Sequence, residues 1–303
     1  MWRGTKRMYV EPDFTEIEAF QVEMPERQTA PFVFNSPHSG RYYPDRFLRM
    51  SCLSADAIRR SEDYHVDQLF TAAARYGAPL MTANFPRAYL DVNREPYELD
   101  PKMFVGNLPS YANFRSMRVA GGLGTMPRVV AEGQAIYNSR VPVDEAISRI
   151  ENLYKPYHAT LRSLLANTHR QFGYSVLIDC HSMPSTVRIG HDGTRPDFII
   201  GDRFGTSASQ FLTETIHSVL TDIGYNVTTN KPYAGGFITE HYGRPSRGLH
   251  AVQIEINRGL YFDERLLRPK PGFDDLVFDL SQLIGELVAL PGEYFTGFSQ
   301  AAE

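Results

Sequence analysis

The residues of this chain that could do chemistry are polar groups placed where apolar runs end. In PFVFNSPHSG, Pro31 to Gly40, the apolar run stops at Pro37, which cannot continue a central ladder, so His38 emerges in a tight Ser-Gly turn at a strand end. In SVLIDCHS, Ser175 to Ser182, period-two alternation puts Asp179 and His181 on one side and Cys180 on the other. A Cys180–His181 nucleophile pair is therefore badly aligned, and Cys180 reads as core. In AVQIEINR, Ala251 to Arg258, Val252, Ile254 and Ile256 share one face while Gln253, Glu255 and Asn257 share the other. A polar row of that kind needs either a solvated cleft or an edge strand with one wet side. AYLDVNR, Ala88 to Arg94, runs out into Asn93-Arg94, an amide followed by a guanidinium that can fork onto a carboxylate. RSEDYHVD, Arg60 to Asp67, opens an apolar-periodic helix, where acidic residues ordinarily serve the helix dipole.

Two histidines that each end a strand favour metal ligation over surface hydrogen bonding. Such groups need a sheet to carry them, because in open α/β folds ligands bind outside the carboxyl ends of the strands. The chain alternates short apolar runs with stretches of helical period, which is the α/β pattern. Strands are expected over Phe32–Ser36, Pro79–Thr82, Tyr89–Val92, Ser175–Cys180, Asp197–Ile200, Asn226–Thr229 and His250–Ile256. Amphipathic helices are expected over Val143–Leu164, Phe211–Ile223 and Leu276–Leu287. Between about residues 95 and 140 periodicity fails amid prolines and glycines, as in a functional loop or lid inserted in one domain spanning 1–303. Gly121, Gly122 and Gly124 lack the Lys-Ser/Thr of a phosphate-binding loop and read as a turn.

Composition narrows the function classes. With 42% hydrophobic residues in 303, the chain has ample material for a core. A net charge of -4 with both signs interspersed offers no basic stripe for nucleic acid. No apolar stretch suggests a signal peptide or a membrane span. Two cysteines are too few for a disulfide framework, so a cytoplasmic setting is expected.

Taken in order, SPHSG, EDYHVD, LDVNR, YKPYH, LIDCHSMPS, NKPYAGG and HAVQIEINRGLYFDE resemble the N-formylglutamate amidohydrolase (N-formylglutamate deformylase) family, over roughly Phe32 to Glu264. The resemblance implies a mixed central sheet flanked by helices, of the zinc-carboxypeptidase (phosphorylase/hydrolase-like) and aspartoacylase type. It implies hydrolysis of N-formyl-L-glutamate to formate and L-glutamate, with histidine catabolism as the setting. It further implies one Zn²⁺ or other divalent ion per subunit on His38, Asp63 and His181, a substrate carboxylate on Asn93 and Arg94, and Glu255 as the catalytic carboxylate. The carboxypeptidase pattern has a glutamate ligand three residues after the first histidine, where this chain has Arg41. The carboxylate ligand then comes from Asp63 or its neighbour Glu62.

Such a ligand set leaves an open position where water acquires a pKa of about 7, and Glu255 would shuttle its proton to the departing amine. The substrate carries two carboxylates, so beside Arg94 a second cation is needed, from Arg258, Arg244 or Arg87. Gly235 and Gly236 permit close approach of backbone to substrate. The partner expected is a small N-acyl amino acid, with self-association left open. Competing readings are a metallo-deacylase or carboxypeptidase-like enzyme of another N-acyl substrate, and a non-catalytic carboxylate-binding protein. A serine hydrolase using Ser39 or Ser182 lacks the GxSxG elbow.

Overall fold

The computed structural model describes residues 14, 17–130, 133–190 and 193–296. Its framework is a seven-stranded mixed sheet. The strands are β1 (Phe20–Glu23), β2 (Phe32–Ser36), β3 (Leu80–Ala83), β4 (Ser175–Met183), β5 (Phe198–Gly201), β6 (Val227–Thr229) and β7 (Leu249–Asn257). Their spatial order is β1-β3-β2-β4-β7-β5-β6. The central set β3, β2, β4 and β7 is parallel, whereas β1 is antiparallel to β3 and β5 to β7.

The central strands are buried on both faces, which is why they read as apolar runs. Alternation divides their side chains. Phe32, Phe34, Val176, Ile178, Cys180, Val252, Ile254 and Ile256 pack in one core with α2 (Gln210–Ile223) and α3 (Gly272–Val288). Val33, Leu177 and Ala251 face the other core. That core holds the long helical stretch, in which Val143–Arg149 passes through a π-helical turn, Ile150–Tyr154, into α1 (Lys155–Phe172). On this second face the side chains change character along each strand. β4 goes from Leu177 to Asp179 and His181, and β7 from Ala251 to Gln253 and Glu255. The β7 polar row lies between β4 and β5 and is buried, so the wet-edge alternative does not hold.

Two elements depart from expectation. β1 is an added edge strand, four residues long and only partly buried, too short to show a period. Tyr89–Val92, expected as a strand, is a series of turns. The Asp91 carboxylate accepts the Asn93 amide at 2.9 Å, and such a local bond diverts the backbone from a ladder.

α1 also carries a buried histidine with consequences for stability. His158 Nε2 lies 2.8 Å from the Val92 carbonyl and Nδ1 lies 2.9 Å from the Tyr242 hydroxyl. Burial pushes its pKa down to about 4. The unfolded chain takes up this proton near pH 6.5, so stability is unaffected above that pH and declines as pH falls from 6.5 towards 4. Between pH 7 and pH 5 the group is expected to cost about 2 kcal/mol, and His158→Gln removes that slope. Urea unfolding of both proteins at the two pH values measures it, and equal losses would refute it.

Candidate active site

Because β2, β4 and β7 are parallel, their carboxyl ends open on one edge of the sheet. His38 stands two residues beyond β2, His181 near the end of β4, and Glu255 directly across from His181 in register on β7. The Asp63 amide donates to the His38 carbonyl at 3.0 Å, which ties the loop before the next helix to this edge. The result is a buried cluster in which ligand atoms of His38, Asp63 and His181 all lie within 4.8 Å of one another.

The imidazoles are oriented from behind. His38 Nε2 is 2.8 Å from Asp91 Oδ1, and His181 Nε2 is 2.8 Å from Asp179 Oδ2. Each carboxylate holds the ring proton on Nε2 and turns Nδ1 inward. His181 Nδ1 lies 2.9 Å and His38 Nδ1 3.5 Å from the same atom, Asp63 Oδ2. His38 Nδ1 is buried and makes no hydrogen bond. A buried polar atom without a partner is unfavourable, and here it points at two further donors of the kind that bind divalent ions. The residues therefore fit a cation. Burial acts to raise the Asp63 pKa, but the His181 and His38 rings beside its carboxylate hold it well below the usual carboxylate range.

The structure separates Asp63 from its neighbour. The Glu62 carboxylate accepts from Tyr43 Oη at 2.7 Å and from Arg59 Nε at 2.9 Å, outside the cluster. Arg41 binds Asp67 through both terminal nitrogens, at 3.1 and 2.8 Å.

Glu255 lines a cavity of about 450 Å³ together with Arg60, Arg87, Asp91, Arg94, Ser182, Tyr233 and Arg258. Burial raises its pKa to about 7, opposed by the His181 charge and reinforced by Asp63. Its Oε1 accepts from Gln253 Nε2 at 2.9 Å, and Gln253 Oε1 accepts the Gly236 amide at 2.9 Å. The irregular stretch between residues 95 and 140 contributes Gly121, Leu123, Pro127, Val129 and Val130 to the cavity wall.

The substrate-binding residues expected from sequence separate into two groups. Arg94 lines the cavity, donating Nε to the Leu123 carbonyl at 3.0 Å and Nη1 to the Asn93 carbonyl at 2.8 Å. Burial pulls its pKa down to about 10, with Asp91 opposing and Arg87 adding to the fall. Arg87 gives its Nε to Asp91 at 2.9 Å and also lines the cavity. Arg258 lines it too, but turns its guanidinium toward Asp63 at 3.1 Å. Arg244 bonds the carbonyls of Glu240 and Gly243 and does not border the cavity.

Asn93 is buried with both ends of its amide engaged, Nδ2 on Asp179 at 3.3 Å and Oδ1 on the Ile238 amide at 2.8 Å. It sits beneath the histidine cluster rather than on the cavity surface. Gly235 and Gly236 are likewise absent from the cavity lining, and the Gly236 N–H is spent on Gln253. Their glycine identity has a packing cause. A Cβ on Gly236 would come within 2.4 Å of the Asn93 amide, and Gly235 has φ +114°. From that loop it is Tyr233 that reaches the cavity.

Residues that sequence reasoning missed are the supporting ones: Asp91 behind His38, Gln253 beside Glu255, and Asn35, which donates to Asp179 at 2.8 Å and accepts from Tyr157 Oη at 2.5 Å. The available signal was polarity at inward strand positions, visible for Asn35 and Gln253 but not for Asp91 in its turn.

Comparison with known proteins identifies the family. The family model described as N-formylglutamate amidohydrolase matches residues 30–262. The N-formylglutamate deformylase of Pseudomonas putida is 32% identical over 237 residues, 77% of this chain and 82% of the relative. That of Pseudomonas aeruginosa is 29% identical over 242 residues, 79% of this chain and 85% of the relative. The crystal structure of N-formylglutamate amidohydrolase from Ralstonia eutropha JMP134 superposes with a TM-score of 0.85 at 33% identity, covering 92% of this chain and 99% of that one. With a family model spanning six of its seven sheet strands and every residue of its cation cluster, this chain belongs to the N-formylglutamate amidohydrolase family.

Proposed function

We propose that the protein is a metal-dependent amidohydrolase that converts N-formyl-L-glutamate and water to formate and L-glutamate. The observation that carries this reading is the juxtaposition of the His38–Asp63–His181 cluster with Glu255 at the floor of an arginine-lined cavity. His38, Asp63 and His181 would hold one divalent ion, with Zn²⁺ suited to two imidazoles and a carboxylate. When bound, such an ion supplies Lewis acidity towards water and the acyl oxygen.

The chain's own groups supply the remainder. Glu255, with its pKa near 7, takes a proton from the attacking water and returns it to the leaving amine. Gln253 holds one Glu255 oxygen, leaving the other to face the cavity. The two substrate carboxylates fall to Arg94 and Arg87, cationic groups that flank Asp91 on the same wall. Asn93 acts by positioning, through Asp179 and His181. The stretch at 95–140 serves as a wall over the site within one metallohydrolase domain and excludes water when substrate is seated. Cys52 and Cys180 are both free, in keeping with a reducing, cytoplasmic setting. Among the described residues no helix is long and apolar enough to cross a membrane.

The test is a comparison of Arg94→Ala with the parent on N-formyl-L-glutamate and on an uncharged N-formyl amino-acid amide. Losing a guanidinium that pairs with a carboxylate should lower kcat/KM for the acidic substrate roughly 100-fold. The neutral substrate should be almost unaffected. Matching losses on both would remove Arg94 from carboxylate recognition, and a parent protein inert on N-formyl-L-glutamate would remove the reading itself.

A further inference from the structure

Arg258 borders the cavity, and sequence alone makes it a candidate reader of a substrate carboxylate. Its hydrogen bonds say otherwise. A guanidinium has five N–H donors. Here Nε donates to Ser182 Oγ at 3.0 Å, and Nη2 donates to Asp63 Oδ1 at 3.1 Å and to the Ser182 carbonyl at 3.4 Å. Nη1 donates to the Arg60 carbonyl at 3.4 Å and faces Glu264 Oε1 at 3.6 Å. The plane lies over the Tyr64 ring, 5.4 Å from its centroid. Four of its donors hydrogen-bond protein acceptors and the fifth faces Glu264, and the residue is 4% exposed. A substrate carboxylate could engage it only by displacing one of these contacts.

The same contacts give it another task. Asp63 Oδ1 accepts both from Arg258 and from Ser182 Oγ, the latter at 3.3 Å, so that oxygen is saturated from outside. Oδ2 is left facing Nδ1 of the two histidines. The Ser182 hydroxyl accepts from Arg258 and donates to Asp63, which makes the three groups one closed ring of bonds. A carboxylate pinned through one oxygen cannot rotate to offer both, so it meets a cation through Oδ2 alone.

We propose that Arg258 and Ser182 form a positioning clamp on Asp63 that sets the affinity of the cation site, and that Arg258 does not read the substrate. The inference rests on the cation site proposed above and concerns which groups tune it. It also leaves Arg87 as the second cation available to a dicarboxylate.

The experiment compares the parent with Arg258→Met, Arg258→Lys, Ser182→Ala and Arg94→Ala. Zn²⁺ affinity is measured by competition with a chromophoric chelator, and KM for N-formyl-L-glutamate is measured at saturating Zn²⁺. Loss of a partner that orients a metal ligand lowers affinity about 10- to 100-fold, which is expected for Arg258→Met. Ser182→Ala should lose affinity several-fold, and Arg258→Lys should recover part of the loss. KM should stay within about threefold of the parent in all three, whereas Arg94→Ala should raise KM and leave Zn²⁺ affinity unchanged. If Arg258→Met does not fold, Ser182→Ala and Arg258→Lys carry the test, since each keeps most of the packing. Parent-like Zn²⁺ affinity in these variants, or a rise in KM matching that of Arg94→Ala, overturns the clamp while leaving the cation site standing. A parent that binds no Zn²⁺ overturns both.

Discussion

Glu255→Gln should leave the bound metal in place and lower kcat on N-formyl-L-glutamate by a factor of about 100 or more. The substitution is nearly isosteric, and its amide oxygen can still accept from Gln253 Nε2, which now meets Glu255 Oε1 at 2.9 Å. Packing around the end of β7 is thereby kept. What is lost is the proton acceptor. An amide cannot take a proton from water at neutral pH, and among the described residues no other carboxylate at the site is free to replace it. Asp91 is held by Arg87 and His38, and Asp63 by Arg258, Ser182 and both histidines. Near neutrality a base works best when its pKa matches the pH, and burial has moved Glu255 to about that point. Steady-state kinetics with elemental analysis of the same preparation decides the matter. A variant with bound metal and a parental kcat would show that Glu255 has no part in proton transfer.

The extent to which this arrangement could be read from sequence follows from what kind of bond makes each part. The strands carrying His38, His181 and Glu255 were legible because buried parallel strands are apolar runs, so a polar residue in one stands out. β2 appears at Phe32–Ser36 as expected, and β4 and β7 are longer than expected by a few residues. The extension has a physical reason. Ser182, Met183 and Asn257 are not strand-forming by type, but parallel pairing of β4 with β7 continues to Met183↔Asn257. Asp63 was less legible, since an acidic residue ahead of a helix has an ordinary role in its dipole, and only tertiary contact brings it to the histidines. The supporting groups were least legible. Asp91 lies in a turn that its own carboxylate creates, and nothing in LDVNR fixes where that turn points. Arg258 shows the same limit from the opposite side. Its place beside the polar row was visible, but the direction of its five donors is set by Ser182, Asp63, Arg60 and Glu264 from other parts of the chain.

Exhaustive chelation of the parent should abolish hydrolysis, and Zn²⁺ should restore it at about one ion per chain. Asp63→Asn should fail to recover under the same conditions, with an affinity loss exceeding the roughly 100-fold that removal of an outer partner costs. The replacement keeps shape and can still accept from Arg258 and Ser182, which hold Oδ1 at 3.1 and 3.3 Å. It removes the charge. In the parent that negative charge balances the Arg258 guanidinium and faces the Nδ1 atoms of His38 and His181. With a neutral amide in its place, a divalent ion would meet two imidazoles and no anionic ligand among buried groups, where an uncompensated charge is strongly unfavourable. Asp91 and Asp179 cannot substitute, because each lies behind a histidine, bonded to its Nε2. The variant therefore separates the two functions of the cluster. Its fold should persist, since the clamp and the backbone bond from the residue 63 amide to His38 remain, while ion binding should not. Isothermal titration with Zn²⁺ on chelator-treated protein measures this directly. Parental affinity in Asp63→Asn would show that the ion, if one is used, is held elsewhere.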